Sequence, residues 1–393
     1  MSEKYFLIEV TDKSQKKEFL NFPDRLYKKE KNRIRPLDDE VERVFDPGRN
    51  KMFRTGEAIR WLLQDEHHKT VGRIAAFFEK RTALKNAQPT GGVGFFDCIH
   101  HQEAANSLFD AGKKWLESKG MEAMDGPVNF GSRDNFWGCL KEGFYENTFN
   151  MPYNFAYYNE LFENYGFKNY FNQYVYYKNI NEGASDINHE KAARLLINPN
   201  YRFDTFRWKR FDQYAEDFLT IYNKAWARFP GVSSMRLLQA KTLLHALKPI
   251  IDERTIIFGY YKNDPIAFFI MIPDMNPTIR NFNGKLSWFN KIRLYLGLRV
   301  FHRADRLLGL IFGVTPEHQG KGVESAIIQR FEAETKKSGF PYMHLEMNWI
   351  GDFNPSMMKM VERNVEARIY KTYVTYRYLF DRTKEFKRAR KLV

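Results

Sequence analysis

Eight consecutive residues, Leu307 to Val314 (LLGLIFGV), carry no polar side chain and run into a turn with two glycines, TPEHQGKG. A run of this length is strand-sized, and a strand apolar at every position needs cover on both faces. The residues after it, VESAIIQRFEAETKKSG, set Val323, Ala326, Ile327 and Phe331 along one helical stripe, with Gly339 beyond the end. A covered strand that feeds a helix demands helices layered on a sheet, so the chain reads as α/β (α+β).

The flanking segments extend this unit. RTIIFGYYKNDPIAFFIMI is a hairpin with Asn263, Asp264 and Pro265 at its turn; YMHLEMNWI is the next strand, NPSMMKMVERN a helix and ARIYKTYVTYRYLF a last strand. The first half repeats the order. WLLQDEHHKTVGRIAAFFEK is a hairpin, GGVGFFDCI a strand, Gln102 to Lys119 a helix stopped by Gly120, and MEAM a short strand. GPVNFGSRDNFWG reads as loop, YYNELFENYGF as helix and FNQYVYYKNI as strand. His101-Gln102 and His318-Gln319 stand before the matching helices. A chain of 393 residues exceeds one ordinary core, so the expectation is a duplication into residues 1–185 and 186–393, divided within the polar stretch NINEGASDINHEK.

The glycine turn carries the chemistry. Gly320 and Gly322 let the main chain turn tightly and present bare amides, and the helix start aims further unpaired N–H groups and its positive dipole end into the same space. That arrangement holds phosphate, and Lys321 adds charge. The segment resembles the pyrophosphate loop of the GCN5-related N-acetyltransferases, whose pattern of Gln or Arg, two residues, Gly, one residue, then Gly or Ala reads here as Glu317, His318, Gln319, Gly320, Lys321, Gly322. Glu317 departs from the first position, which touches a side-chain contact and leaves the backbone cradle.

The resemblance covers about residues 200 to 380 and implies two tandem acyl-CoA N-acyltransferase-like domains, each a mixed, mostly antiparallel sheet flanked by helices. It implies acetyl-CoA or another acyl-CoA as co-substrate, with the pyrophosphate on Gln319, Gly320, Lys321, Gly322, Val323 and Glu324. Pantetheine would lie beside Phe312, Gly313 and Val314, and Asn354 would touch the coenzyme. The family's acidic tyrosine, seven residues after that asparagine, is Val361 here, and Val365 stands in the following glycine's place. Strand alternation puts Tyr342, His344, Glu346 and Asn348 on one face, so Glu346 is the candidate base if that face lines the cleft; a salt-bridged face is the competing reading.

The first half lacks loop glycines, with DCIHHQEAAN between strand and helix, so it is expected to support its partner and shape the acceptor pocket. Asn129, Ser132, Arg133, Asp134 and Trp137 are its candidate substrate contacts. An insertion, FNGKLSWFNKIRLYLGLRVFHRADR, mixes basic and aromatic residues, so residues 281–306 either meet an anionic membrane peripherally or pack their apolar side on the protein.

The acceptor is expected to be a small-molecule or peptide amine. With 62 Lys and Arg against 48 Asp and Glu, the net +14 favours a polyanionic ligand. Nucleic acid is not the expected partner, although an aminoacyl-tRNA-dependent transferase of similar tandem fold is one alternative. A non-catalytic acyl-CoA-binding or membrane-surface protein is the other. Two cysteines without metal-type spacing, Cys98 and Cys139, fit a reducing compartment and no metal, and no signal-like N-terminus is evident, so the expectation is cytoplasmic.

Overall fold

The computed structural model describes residues 4–84, 88–226 and 234–392. They form one twisted sheet of thirteen strands with helices on both faces. In chain order the strands are β1 (Phe6–Glu9), β2 (Gly56–Gln64), β3 (Thr70–Glu79), β4 (Thr90–Cys98), β5 (Ala123–Gly126), β6 (Cys139–Glu142) and β7 (Lys168–Asn179). The second half adds β8 (Tyr201–Thr205), β9 (Ile256–Tyr261), β10 (Asp264–Pro273), β11 (Arg306–Val314), β12 (His344–Gly351) and β13 (Arg368–Leu379).

Across the sheet the order is β1-β2-β3-β4-β5-β13-β7-β12-β11-β10-β9-β8, with β6 also beside β13. Read inward from either edge, five strands of each half repeat one arrangement, and among the described residues only β4–β5 and β11–β12 pair in parallel. The two halves then exchange their final strands. β13 lies against β5 of the first half, and β7 lies against β12 of the second. The sheet is therefore continuous, and neither half closes its own centre.

Each predicted strand and helix forms, with three differences. The second hairpin turns at Lys262 and Asn263, both at positive φ, and Asp264 and Pro265 already belong to β10. The boundary stretch is not a plain linker: Asp186–Leu196 is a helix, with Ala192 buried, packed on the helix Val323–Thr335. Its Asn188 bonds Ser325 and the Arg363 carbonyl, and its His189 bonds Glu332 at 2.8 Å. β6 is the third, a short strand directly after the segment that reads as loop, at residues the sequence reading left unassigned.

Most of the buried hydrophobic residues fall into two clusters, one under each half. The first centres on Phe96, Phe109, Tyr158 and Phe162, the second on Phe218, Phe258, Phe268 and Ile327. Gly320 and Gly322 belong to neither.

Candidate functional site

Parallel pairing between β11 and β12 ends at Gly309–Met347, yet β11 continues to Val314. The two strands splay from there. Both are also irregular on their outer sides at the same level. Leu310 is an extra residue against β10, and β12 slips against β7 between Met347 and Ile350, which frees Asn348 and Trp349. Such bulges re-aim side chains and release ladder groups next to a site. The cleft walls are accordingly half-buried at Leu310, Ile311 and Phe312 on one side and Asn348 and Trp349 on the other. Gly313 and Val314 are buried below them.

Past Val314 the chain makes one tight turn, Pro316–His318, and reaches the glycines. Gly320 has φ +69° and Gly322 φ +93°, which L side chains adopt only under strain. No heavy atom lies within 4 Å of where a Gly320 side chain would begin, and Gln319, Gly320 and Lys321 are exposed. The helix Val323–Thr335 starts there with no side-chain cap, so its first amides have no capping partner. The turn is braced from behind: Gln319 Nε2 donates to the Val314 carbonyl at 2.9 Å. One amide is engaged, since Gly320 N donates to Glu324 Oε1 at 3.2 Å. Burial, then Lys321, holds the His318 pKa below the usual imidazole value, which favours the neutral ring.

The first-half loop reaches this cleft. Trp349 Nε1 donates to the Arg133 carbonyl at 3.0 Å, and Trp137 Nε1 donates to Thr375 Oγ1 at 3.1 Å, which in turn donates to Gln173. The Arg133 guanidinium sits 5.6 Å from the centre of the Trp137 ring. Asp134 is held by Ser132 Oγ at 2.9 Å and faces Tyr222 of the helix Phe211–Trp226, whose phenol burial raises first and Asp134 second. Ser132, Arg133, Asp134 and Trp137 thus stand together at the mouth. Asn129 lies deeper, buried, with its Oδ1 unbonded. The Asn348 oxygen is likewise buried without a hydrogen-bond partner. The Asn348 acceptor on the cleft wall is costly unless something else meets it.

Glu346 is elsewhere. It is 0% exposed, bonded by Lys371 Nζ at 2.7 Å and faced by Arg306 at 3.1 Å, with Asp274 beyond Arg306 at 3.8 Å. The face it shares with His344 and Asn348 therefore does not form one open wall: the neighbouring strands cover it at Glu346 and bare it at Asn348. Sealed from solvent and engaged by two cations, the carboxylate is closed to a substrate amine. Burial pushes Asp274 up to about 6 and lowers Lys371. The salt-bridged reading of this face therefore holds at Glu346, while its partners were not legible locally, because they come from the end of β10, from β11 and from the exchanged β13. Asn354 caps the helix Pro355–Met360 by accepting from Met357 N at 3.2 Å, and Val361 and Val365 are buried, so no phenol occupies that place.

No known protein-family profile matches the chain. It is 26% identical over 380 residues to Protein YghO of Escherichia coli (strain K12), covering 93% of each chain. It is 25% identical over 378 residues to the bacterial ceramide synthase of Caulobacter vibrioides (strain NA1000 / CB15N), covering 94% of this chain and 96% of that one. A tandem GNAT protein from the clavulanic acid biosynthesis pathway superposes with a TM-score of 0.53 at 8% identity, over 96% of this chain and 99% of that one. The fold is that of a tandem GCN5-related N-acetyltransferase.

Proposed function

We propose that the chain is an acyl-CoA-dependent N-acyltransferase whose acceptor is the amine of a long-chain amino alcohol, giving an amide of the ceramide type. The observation that carries the donor side is the open glycine turn at the head of a thirteen-residue helix, directly beyond a splayed strand pair. The pyrophosphate would rest on the amides from Gln319 to Glu324, and the pantetheine would pass Phe312 between β11 and β12. The acceptor class rests on the relative named a bacterial ceramide synthase, matched nearly end to end.

In this reading the amine nitrogen bonds the acyl carbon while the carbon–sulfur bond breaks, and coenzyme A leaves as thiolate. An amide of Leu310 to Phe312, released from the ladder, would hold the developing oxyanion. Alignment of two bound substrates supplies much of the rate. The ammonium proton goes to a base at the mouth; Asp134, exposed and facing Tyr222, fits that part better than buried Glu346. The thiolate takes its proton from water, as Val361 offers none.

Thermal melts with coenzyme A and acyl-CoAs of increasing length test the donor. A ligand bound to the folded state alone raises the melting temperature, and long acyl chains should raise it more than acetyl. Mass spectrometry of mixtures with a long-chain amino alcohol then tests the acceptor. No shift with any acyl-CoA would end this reading; a shift without amide product would leave a binding protein. Asp134→Asn should lower kcat at neutral pH with little change in the thermal melt, while Glu346→Gln chiefly lowers stability.

A further inference from the structure

The insertion between β10 and β11 has two sides, and the protein uses only one. Its helix, Trp288–Arg299, docks through Leu294, Gly297 and Leu298: Leu298 is buried, a Cβ on Gly297 would meet Thr278, and Leu294 packs against Ile279 and Phe282. That satisfies the requirement that an amphipathic helix bury one face. The opposite side is nevertheless apolar. Trp288, Phe289, Ile292 and Tyr295, with Val300 and Phe301 of the following turn, stand in solvent, at 64%, 66% and 62% exposure for Trp288, Phe289 and Phe301. Trp288 and Phe289 stack on each other at 4.4 Å, not on the body of the protein. Six large apolar residues on one short element form a patch of the kind that marks an interaction surface.

The charge around this patch selects the partner. Between Asp274 and Asp305 the sequence has no acidic residue and six Lys or Arg. Arg280 is tied to Glu146 and Arg299 to the Ile251 carbonyl, which leaves Lys285, Lys291, Arg293 and Arg303 exposed around the apolar rings. Aromatic and aliphatic side chains ringed by cations complement the interface of an anionic bilayer: rings enter the acyl boundary and cations meet headgroup phosphates. The glycine turn lies at the far end of β11, about 26 Å away at ~3.3 Å per residue, so a bilayer on this face leaves that turn in water.

We infer that the outer face of Trp288–Arg299 and its following turn is a peripheral docking surface for anionic phospholipid bilayers. The inference goes beyond the acyl-transfer reading and does not depend on it, because its readout is binding without acyl-CoA. Flotation of the full chain with phosphatidylcholine vesicles, with and without about one third phosphatidylglycerol, is the test. The chain should float with the anionic vesicles at least ~10-fold more than with neutral ones, and raised salt should weaken this by screening. Replacing Trp288, Phe289 and Phe301 together by Ser should abolish flotation with an unchanged thermal melt, and Lys285→Glu with Lys291→Glu and Arg303→Glu should abolish the phosphatidylglycerol preference. A wild-type chain that stays with the aqueous layer overturns the inference, as does a serine variant that floats equally well. A concentration-dependent dimer split by the serine variant would make the face a contact between copies and overturn it too.

Discussion

The two splayed strand pairs began alike and ended differently. Parallel pairing stops at Gly92–Asp125 in the first half and at Gly309–Met347 in the second, and each glycine stands nine residues before the histidine of a His-Gln pair. Those histidines are latched the same way: Tyr5 bonds His101 at 3.0 Å and Tyr201 bonds His318 at 3.3 Å. The frames match; the spaces do not. In the first half the Pro127–Val128 backbone crosses the gap, with Val128 N donating to the Val93 carbonyl at 2.8 Å, and Phe95, Phe130 and Phe136 fill what is left. The helix start there is covered by His100 stacked on Tyr157 at 4.2 Å. An open glycine turn is thus not a property of the fold. It needs two glycines at positive φ and an empty gap behind them.

The largest effect should come from the strand exchange. Ending the chain after Ala367 removes β13, which pairs with β5, β6 and β7, so both halves should unfold together and no cooperative transition should remain by circular dichroism. If the first half survives as a separate melting unit, the exchange is not what joins them.

Next is Gly320→Val with Gly322→Val. Both residues need positive φ, so the change should weaken coenzyme A binding by at least ~100-fold in calorimetry, in keeping with loss of several charge-assisted hydrogen bonds. Unchanged affinity would dissolve the contrast between the two halves.

A smaller effect is expected at the seam. Asp274 has a folded pKa of about 6 against 3.8 in the open chain. Between those values the folded state keeps a proton that the unfolded state has released, so this group makes stability fall as pH rises across the interval. Asp274→Asn should flatten that slope in denaturant titrations from pH 4 to 6.5; a slope that stays the same removes Asp274 as its source.

The smallest effect is none at all. Grafting Gly-Lys-Gly onto Glu103 to Ala105, the three positions after the first His-Gln pair, places a glycine turn at the start of the first-half helix, yet the Val128 backbone still blocks the gap. Calorimetry should keep the wild-type number of coenzyme A sites. A second site would show that glycines alone suffice.

Sequence reasoning found β2 to β5, β7 and β9 to β13, the helices Gln102–Ser118, Tyr157–Tyr165, Val323–Thr335 and Pro355–Met360, and the glycine turn. Each is written locally, in apolar period, in helix stops such as Gly120 and Gly339, and in the Gly320–Gly322 spacing. It did not find β1, β6, β8 or the helices Lys13–Leu26, Phe211–Trp226 and Leu237–Ala246. It missed the helix Asp186–Leu196, whose polar residues Asn188 and His189 read as linker but are bonded to Ser325 and Glu332. Ser185 before Asp186, with Ala192 and Leu195 on one stripe, was the available signal.

What the sequence determined by itself is the identity of the strongly patterned elements on either side of each parallel pair and the conformation of the turn, since φ preference and hydrophobic period act within a few residues. Only the tertiary structure decided that β7 and β13 change places, that Glu346 is sealed beside Lys371 instead of lining a cleft, and that Ser132 to Trp137 stand over the opposite half's gap. Strand pairing draws on partners as far apart in sequence as Ala123 of β5 and Leu379 of β13, and alternation along one strand records which residues share a face but not which neighbour will cover it.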